Sequence, residues 1–454
     1  MITYSIIQKS QIESAYRIDA EYYQPEYLEV AKKIKSLPHK TLEDISQSIV
    51  SFGAYALTNF IEWQEKGIPF IVAENVKEGF ISYEDIRYIS DLTDEVLKKS
   101  RVEEGQVLLS MSGSVGNAAV AHNVPQRLNS NQDIVKITLK KNIPPYFLAS
   151  FLNSKYGRMQ VLRLPVGSVQ QHIFLWQTKS ILVPIFAENV INTIVATYKE
   201  GLKQLEFSAS LYSQAEDLLL DELGFKGYKI KDDLAYTVNL SDLKSARRAD
   251  ADYFQPKYRK IENMLVRNFH ANKIMNIDFI KITTGQYCDE YITETEGNPY
   301  IRGTDLSKGT VNLDNLVYID PKKQMSSKKA KEGDVVVTRV GTIGVSARLP
   351  KEVEGGTISD NLIRLRFPEK ELNSYYVSLY FNTIGSQLMI RESRGSVQAR
   401  LNQETLKEIV LSILPQNTQQ KISELVHQSH EAHKKAKELL EEAKRTVEEL
   451  IENQ

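Results

Sequence analysis

The sequence Arg17-Ile18-Asp19-Ala20-Glu21-Tyr22-Tyr23-Gln24-Pro25 stands near the start of the chain. It returns as Arg248-Ala249-Asp250-Ala251-Asp252-Tyr253-Phe254-Gln255-Pro256, at an offset of 231 residues. Further short matches follow in the same order at offsets of 228 to 230 residues: Pro69–Ile71 with Pro299–Ile301, Tyr88–Ile89 with Tyr318–Ile319, Gly113–Gly116 with Gly341–Gly344, and Gly167–Gln170 with Gly395–Gln398. This repeat is far longer than the roughly 20 to 50 residues of a solenoid unit. It predicts two similar globular domains related by a pseudo-two-fold internal repeat.

Composition places the chain among ordinary globular proteins. Its 454 residues are 42% hydrophobic and 25% charged, and no run approaches the roughly 18 apolar residues of a membrane span. The start, Met1–Tyr4, lacks the basic and apolar regions of a signal peptide. The single cysteine, Cys288, excludes an internal disulfide and suits a reducing compartment. We therefore expect a cytoplasmic protein. Its net charge of −1 leaves a nucleic-acid partner open.

Each copy contains runs of β-branched residues bounded by glycine, followed by a helical stretch. Such runs predict strands. The predicted strands are Gly105–Ser110, Ile134–Ile137, Asp334–Thr338 and Leu362–Leu365, and the predicted helices are Tyr146–Val161 and Tyr375–Glu392. We expect each domain to have an α/β (α+β) fold.

Each copy then ends in a long heptad pattern, which predicts a helix beginning after Pro184 and another after Pro415, with Asn417 or Thr418 as the N-cap. Neither helix has another surface in the sequence to lie against, so we expect them to form one antiparallel coiled coil that separates the two domains. At 1.5 Å per residue each helix spans about 50 Å. The predicted seam residues are Val195, Leu202, Leu205, Val426, Ala436, Leu440 and Val447, with Ser429 and His433 as polar register devices.

These patterns divide the chain into five parts. Residues 1–184 and 236–414 are the two domains, residues 185–223 and 415–454 are the long helices, and residues 224–235 are a linker.

A search for an enzyme finds no active site. Asn142-Ile143-Pro144-Pro145-Tyr146 differs from the Asn-Pro-Pro-Tyr loop of amino-methyltransferases because Ile143 separates the asparagine from the prolines. The sequence contains no Gly-x-x-x-x-Gly-Lys-Ser/Thr phosphate loop. His427, His430 and His433 are spaced along one helix, but a polar stretch of coiled coil explains them better than a metal site. We expect no catalytic, cofactor-binding or metal-binding residues in this chain.

The loops of the two copies instead carry chemistry suited to DNA. Arginine forks fit guanine edges and phosphates, and Gln or Asn fits adenine. The predicted DNA-binding residues of copy two are Arg302, Thr304, Arg339, Arg394, Gln398 and Arg400, and those of copy one are Tyr55, Asn75, Arg163, Gln170 and Gln171. The two copies match at their glycines but differ at neighbouring side chains, as where Met111 replaces Arg339. This pattern is typical of two domains that read different DNA sequences.

These features together resemble the specificity (S) subunit of type I restriction-modification enzymes. The motifs that carry the resemblance are the Arg-x-Asp element, the Gly-x-x-Gly strand end, the Gly-Ser-Val-Gln loop and the helix entry Leu414–Ile422. The first three occur in both copies in the same order, and the helix entry is degenerate in copy one at Val183–Ile191. The resemblance covers essentially the whole chain.

The resemblance implies two target-recognition domains, each reading one half of a bipartite, asymmetric DNA site. A spacer of about 50 Å would match roughly one and a half turns of B-DNA. It also implies docking of two methyltransferase (M) subunits that use S-adenosylmethionine, and of restriction (R) subunits that use ATP and Mg. The residues implied in M docking or in structure are Arg17, Asp19, Tyr22, Tyr23, Arg248, Asp250, Tyr253 and Phe254. Two alternatives remain: a DNA methyltransferase or fused restriction enzyme, and a two-domain coiled-coil scaffold that binds only proteins.

Overall fold

The structure is a computed structural model that describes residues 4–10, 12, 17–51, 61–165, 173–228, 230–268, 271–314, 316–394 and 399–454. The chain forms two compact units. Unit 1 is Met1–Glu206 with His433–Gln454, and unit 2 is Phe207–Ala432. This division assigns part of each long helix to each unit, whereas the sequence predicted the helices as separate segments.

Elements are labelled in chain order. The strands of unit 1 are β1 (His39–Thr41), β2 (Ser46–Val50), β3 (Trp63–Gln64), β4 (Ile68–Ile71), β5 (Arg87–Ile89), β6 (Val107–Ser110), β7 (Ala118–Val120), β8 (Asn129–Ser130), β9 (Ile134–Leu139) and β10 (Leu182–Pro184). Its shorter helices are α1 (Pro25–Lys35), α2 (Leu42–Ile45), α3 (Asp91–Val96), α4 (Pro145–Asn153), α5 (Lys155–Leu162) and α6 (Leu175–Thr178). The first long helix is α7 (Glu188–Glu222).

The strands of unit 2 are β11 (Asn272–Lys273), β12 (Lys281–Thr284), β13 (Asn298–Ile301), β14 (Leu306–Ser307), β15 (Thr310–Val311), β16 (Val317–Ile319), β17 (Val335–Thr338), β18 (Ser346–Arg348), β19 (Thr357–Ile358), β20 (Leu362–Arg366) and β21 (Val410–Leu411). Its shorter helices are α8 (Leu240–Ala246), α9 (Pro256–Asn268), α10 (Ser374–Asn382), α11 (Ile384–Glu392) and α12 (Gln403–Glu408). The second long helix is α13 (Gln416–Glu452).

The two units repeat one sheet topology. The antiparallel order β2-β9-β6-β7 of unit 1 returns as β12-β20-β17-β18 in unit 2. The order β5-β4-β8, with one antiparallel and one parallel pairing, returns as β16-β13-β19. The pair β1-β10 returns as β11-β21. The predicted strands and the predicted mixed fold class, an internal repeat of α+β units with two long helices, are confirmed.

Equivalent glycines stand in the turn between β6 and β7 of unit 1 and in the turn between β17 and β18 of unit 2. Gly116 has a φ of +90° and Gly344 a φ of +96°, in the left-handed region that residues with a Cβ rarely adopt. A Cβ on Gly116 would also lie 3.3 Å from Val161 Cγ1, and one on Gly344 would lie 3.2 Å from Ser386 Cβ. The Gly-x-x-Gly motif therefore fixes a turn packed against a helix.

The predicted helical stretch of each copy is present, and in each it is divided into two helices. In unit 1 the Ser154 hydroxyl caps α5 by accepting from Gly157 N. A Cβ on Gly157 would lie 2.0 Å from Phe151 O, so the break requires glycine there. In unit 2 the break falls at Thr383, whose ψ of −107° is not helical.

The predicted starts of the long helices also need correction. Helix α7 begins at Glu188 rather than directly after Pro184, because Pro184 belongs to β10 and pairs with His39. Helix α13 already begins at Gln416, so Asn417 and Thr418 lie within its first turn and neither is the N-cap.

Each unit contains a pairing of the two long helices. In unit 2 the Ser208 hydroxyl donates to Ser429 O and the Ser429 hydroxyl donates to Ser208 O, both at 2.8 Å. In unit 1 the helix backbones lie close together, since a Cβ on Gly201 would be 3.3 Å from Ala436 O. Unit 2 thus pairs the end of α7 with the start of α13, and unit 1 does the reverse, as an antiparallel pair requires.

The helices do not lie only against each other, and that expectation is wrong. In unit 1, Tyr198 and Leu202 of α7 are buried in the same core cluster as Phe147 of α4 and Leu440 of α13. The Tyr198 hydroxyl donates to Gly79 O at 2.6 Å. The apolar faces of α7 and α13 that were predicted to form a coiled-coil seam therefore also pack against the core of unit 1.

The remaining predicted seam residues follow this pattern. Ala436 and Val447 are buried in unit 1 and Val426 is buried in unit 2, while Val195 and Leu205 are half-buried against the unit 1 core. His433 is half-buried.

Candidate nucleic-acid interface

The Arg-x-Asp element of unit 1 is held by a bidentate ion pair. Arg17 donates to Asp19 through Nε at 2.8 Å and through Nη2 at 2.5 Å, and this hydrogen bonding lowers the pKa of the Asp19 carboxyl. The same guanidinium donates to Leu164 O at 2.8 Å and to Pro165 O at 3.1 Å. The element is thereby tied to the residues just before the Gly-Ser-Val-Gln loop.

The Tyr22 ring lies within reach of two arginines. The guanidinium carbon of Arg17 is 4.6 Å from the ring centroid and that of Arg163 is 3.8 Å from it, both within the range of a cation–π contact. Arg163 also donates to Tyr22 O at 2.7 Å. Tyr23 packs edge-on against Tyr22 and donates its hydroxyl to Arg17 O at 2.9 Å. We call this arrangement, in either unit, the arginine clamp.

Unit 2 repeats the ion pair and the two arginine–aromatic contacts of the clamp, but Phe254 lacks the hydroxyl by which Tyr23 donates to Arg17 O. Arg248 donates to Asp250 at 2.9 and 2.6 Å, and to Arg391 O and Ser393 O at 3.4 and 3.0 Å. The pKa of the Asp250 carboxyl is lowered by this hydrogen bonding. Tyr253 lies near the guanidinium groups of Arg248 and Arg391, at 4.3 and 4.7 Å. Its neighbour Phe254 packs edge-on against it.

The clamp changes the reading of Arg163. Arg163 is a predicted DNA-binding residue, yet its guanidinium donates to Tyr22 O, as that of Arg391 donates to Tyr253 O in unit 2. Arg163 is also half-buried, and burial lowers the pKa of its guanidinium. We therefore move Arg163 from the DNA-binding set to the clamp.

Three predicted DNA-binding arginines of unit 2 come together. Arg394 and Arg400 exchange backbone hydrogen bonds at 2.9 and 2.8 Å. Leu401 N donates to Arg339 O at 2.8 Å, and Arg339 Nε donates to Leu401 O at 3.3 Å. The side chains of Arg394 and Arg400 are exposed and, among the described residues, have no ion-pair partner. We call Arg339, Arg394 and Arg400 the arginine cluster.

Arg302 is arranged differently. Its guanidinium donates to the Asp305 carboxylate at 3.1 and 2.9 Å, and the Asp305 side chain is buried. Because Asp305 neutralises this charge in place, Arg302 is not part of the arginine cluster. Thr304, on the same turn, is exposed.

In the part of unit 1 that the structure describes, the position of Arg339 carries no arginine. Met111, which replaces Arg339, is buried in the core. Asn75 is also buried: its Oδ1 accepts from Val72 N at 2.9 Å and its Nδ2 donates to Ser82 O at 3.1 Å. Asn75 is thus a structural residue, and we do not carry it into the proposed contacts.

Several predicted residues cannot be placed. Tyr55, Gln170, Gln171 and Gln398 lie outside the described residues, as do both Gly-Ser-Val-Gln loops.

Unit 2 also carries a basic segment that is not among the predicted DNA-binding residues. Residues 321–331 contain lysines at 322, 323, 328, 329 and 331 and no acidic residue. A count of charges along the chain would have found this segment.

Other classes of site receive no support. In the described ranges, no group of three or more His, Cys, Asp or Glu side chains is placed to hold a metal ion. Among the same residues, no helix combines the length and apolar character needed to cross a membrane.

The chain is similar to known DNA-specificity proteins. Residues 273–445 match the family model of the type I restriction modification DNA specificity domain. The chain is 19% identical over 399 residues to the type I restriction enzyme MjaX specificity subunit of Methanocaldococcus jannaschii, a match that covers 85% of this chain and 86% of that protein.

Solved structures give weaker matches. The S subunit of a type I restriction-modification system from M. genitalium matches 91% of this chain and 94% of its own, at 14% identity and a TM-score of 0.40. The HsdS subunit from Thermoanaerobacter tengcongensis matches 90% and 95%, at 11% identity and a TM-score of 0.29. The resemblance predicted from the repeated motifs is confirmed by the family match and the curated relative.

Proposed function

We propose that the chain is the DNA-recognition subunit of a type I restriction-modification complex. The premise is the match of residues 273–445 to the family model of the type I restriction modification DNA specificity domain. In this proposal each unit reads one half of a bipartite, asymmetric target in double-stranded DNA. The chain itself performs no catalysis and binds no cofactor or metal. It works in the cytoplasm, where its DNA and its partner subunits are.

The observation that carries the proposal is one scaffold with two different surfaces. The two units share their sheet topology and their arginine clamps. At the position where unit 2 has the half-buried Arg339 beside the exposed Arg394 and Arg400, unit 1 buries Met111. Two copies of one fold with different groups at the same positions suit the reading of two different half-sites.

The partner subunits follow from the same family. We propose that two M subunits dock on the surfaces around the two arginine clamps. Beside the clamp of unit 1, Ile18 is 87% exposed. M would supply S-adenosylmethionine for adenine methylation, and R would supply ATP-driven cleavage with Mg.

The test is selection of binding sites from a random duplex library, using the chain purified with its co-expressed M subunit. The expected result is a motif with two fixed parts separated by an unspecified gap. Arg339→Ala or Arg394→Ala should relax only one of these parts, with a loss of about 1–3 kcal/mol of discrimination at the affected base pair.

The matched control is Arg259→Ala. Arg259 is an exposed arginine of unit 2 that pairs with Asp242 on α8 and is not one of the predicted DNA-binding residues. The control should leave both parts of the motif unchanged. An equal loss at both half-sites in the Arg339 variant would contradict the assignment of that residue to one half. If no sequence is enriched with the unaltered chain, the scaffold alternative is favoured.

A further inference from the structure

The connection between β16 and β17, residues 320–334, concentrates positive charge on unit 2. Its five lysines stand in residues 321–331, and its acids, Asp320, Glu332 and Asp334, flank that segment. Two of these acids are paired within unit 2. Asp334 is buried and accepts from Arg366 at 2.6 Å, and Glu332 pairs with Arg348 at 3.2 Å.

Glutamine side chains hold the backbone of this connection in place. Gln324 Nε2 donates to Gly355 O at 2.8 Å and to Gly356 O at 2.7 Å. Gln286 Nε2 donates to Lys323 O at 2.7 Å, and Gln286 Oε1 accepts from Met325 N at 2.9 Å. Hydrogen bonds to other parts of unit 2 therefore hold residues 323–325 of the connection in place.

A buried arginine fixes the next residues. The Arg364 side chain is 4% exposed, and its guanidinium donates to Ser327 O, Lys328 O and Lys329 O at 3.2, 3.3 and 2.7 Å. One buried side chain thereby holds the backbone of residues 327–329, of which Lys329 is exposed. The lysines are thus carried by a preorganised backbone, which reduces the entropy lost on binding.

The lysine side chains divide into two groups. Lys328 donates to Thr284 O at 2.7 Å and Lys323 pairs with Glu290. Lys322, Lys329 and Lys331 are exposed and, within the part of the chain that the structure describes, their ammonium groups have no ion-pair partner. We call these three residues the lysine platform.

The platform lies close in the fold to the arginine cluster. Gln286, which holds the platform backbone, accepts through its carbonyl from Asp360 N at 3.2 Å. Asp360 O in turn accepts from Arg339 Nη1 at 3.1 Å. Beside Gln286 the Tyr287 side chain is 67% exposed.

Unit 1 has no counterpart of the lysine platform in its equivalent connection. Its connection between β5 and β6, residues 90–106, contains five acids and three basic residues. Arg101, which bridges to Asn129 as Lys329 bridges to Thr357, pairs with Asp94 and Glu95. The connection thus carries more acidic than basic residues, and of its three basic side chains Arg101 is neutralised in place while Lys98 and Lys99 are exposed.

We propose that the lysine platform contacts the phosphate backbone of duplex DNA next to the half-site read by unit 2, and that unit 1 makes no equivalent contact. This inference rests on the proposed function. Ammonium groups that neutralise phosphates release counterions and add affinity that is independent of sequence. The platform would thus add affinity for DNA at one half of the target only, without changing which bases are read.

The experiment measures the affinity of the full chain, in complex with its M subunit, for target and non-target duplexes over a series of KCl concentrations. The variant is Lys322→Ala/Lys329→Ala. It should lower the slope of log K against log [KCl] by about 2, since each phosphate contact contributes about 1. The loss of affinity should be equal for both duplexes, and the selected motif should not change.

The matched control is Lys98→Ala/Lys99→Ala, which removes two exposed lysines from the unit 1 connection. Its slope should stay close to that of the unaltered chain. An unchanged slope in the platform variant, or an equal fall in the control, would overturn the inference. If the unaltered complex binds DNA without salt dependence, the proposed function itself fails, and the two failures are thereby distinguished. Equal melting temperatures of all variants exclude misfolding, as expected for exposed side chains.

Discussion

One residue position shows how the two units use the same scaffold differently. Position 136 of unit 1 corresponds to position 364 of unit 2, because both stand in the strand that pairs across the middle of the sheet. The Arg364 guanidinium donates to three backbone carbonyls, whereas Lys136 donates, among the described residues, only to Ser130 Oγ, at 3.1 Å. Lys136 is fully buried, and burial lowers the pKa of its ammonium group to about 8.

This burial predicts a pH dependence of stability. Between about pH 8 and the ordinary lysine pKa of 10.5, the unfolded chain binds a proton that the folded chain has released. The free energy of unfolding should therefore rise with pH across this window, and below pH 8 the buried charge lowers stability. Lys136→Met should remove the rise and raise the free energy of unfolding at pH 7 by about 1–3 kcal/mol. Denaturant titrations at pH 7, 8, 9 and 10 measure both effects.

The exposed Lys141→Met is the control, and it should follow the unaltered protein at every pH. If Lys136→Met keeps the same rise with pH, the lysine is not the group that titrates.

At the scale of the element, the long helices show what a heptad pattern can and cannot predict. The pattern predicted two long helices that pair, and they do. It did not predict that Tyr198 of α7 would donate to Gly79 O in the same unit, because the pattern records which residues are apolar but not which surface covers them. The broken helices depend on local contacts such as that of Gly157 with Phe151 O, which no periodicity contains.

Leu440 of α13 packs beside Gly79 and beside Gly201 of α7 within unit 1, where Gly79 is the residue that accepts from Tyr198. Leu440 is buried, and a Cβ added to Gly79 or to Gly201 would lie 3.1 Å from its side chain. Leu440→Ala should therefore leave a cavity and lower the free energy of unfolding by about 2–5 kcal/mol. The adjacent half-buried Leu439→Ala should lower it far less. Equal effects of the two variants, measured by chemical denaturation, would contradict the described packing.

At the scale of the whole molecule, the repeat made the topology predictable and left much of the site unpredictable. Five short matches in register predicted two similar units, and the sheets repeat strand for strand. The candidate site was harder to predict, because residue type does not tell which groups a side chain hydrogen-bonds to in the folded protein. Arg163 and Arg339 look alike in sequence, yet one lies on Tyr22 and the other stands in the arginine cluster.

The long helices also carry a prediction about the target. If the paired helices set the gap between the half-sites, four residues added to each should lengthen the gap. Four residues add about 6 Å to a helix, or about two base pairs. The insertions belong after Glu206 and after Ala432, where the two units divide. Four residues added at Gly227, in the segment after α7, are the control and should leave the gap unchanged. A gap that does not respond to the paired insertions would refute this role of the helices.

The most direct test of the account is a map of methylated adenines across the genome of cells that express the chain with its M subunit. The account predicts methylation at one motif with two different specified parts and a fixed gap, absent when M is expressed without the chain. Methylation that has no motif, or a motif that is unchanged without the chain, would contradict the claim that this chain reads the DNA.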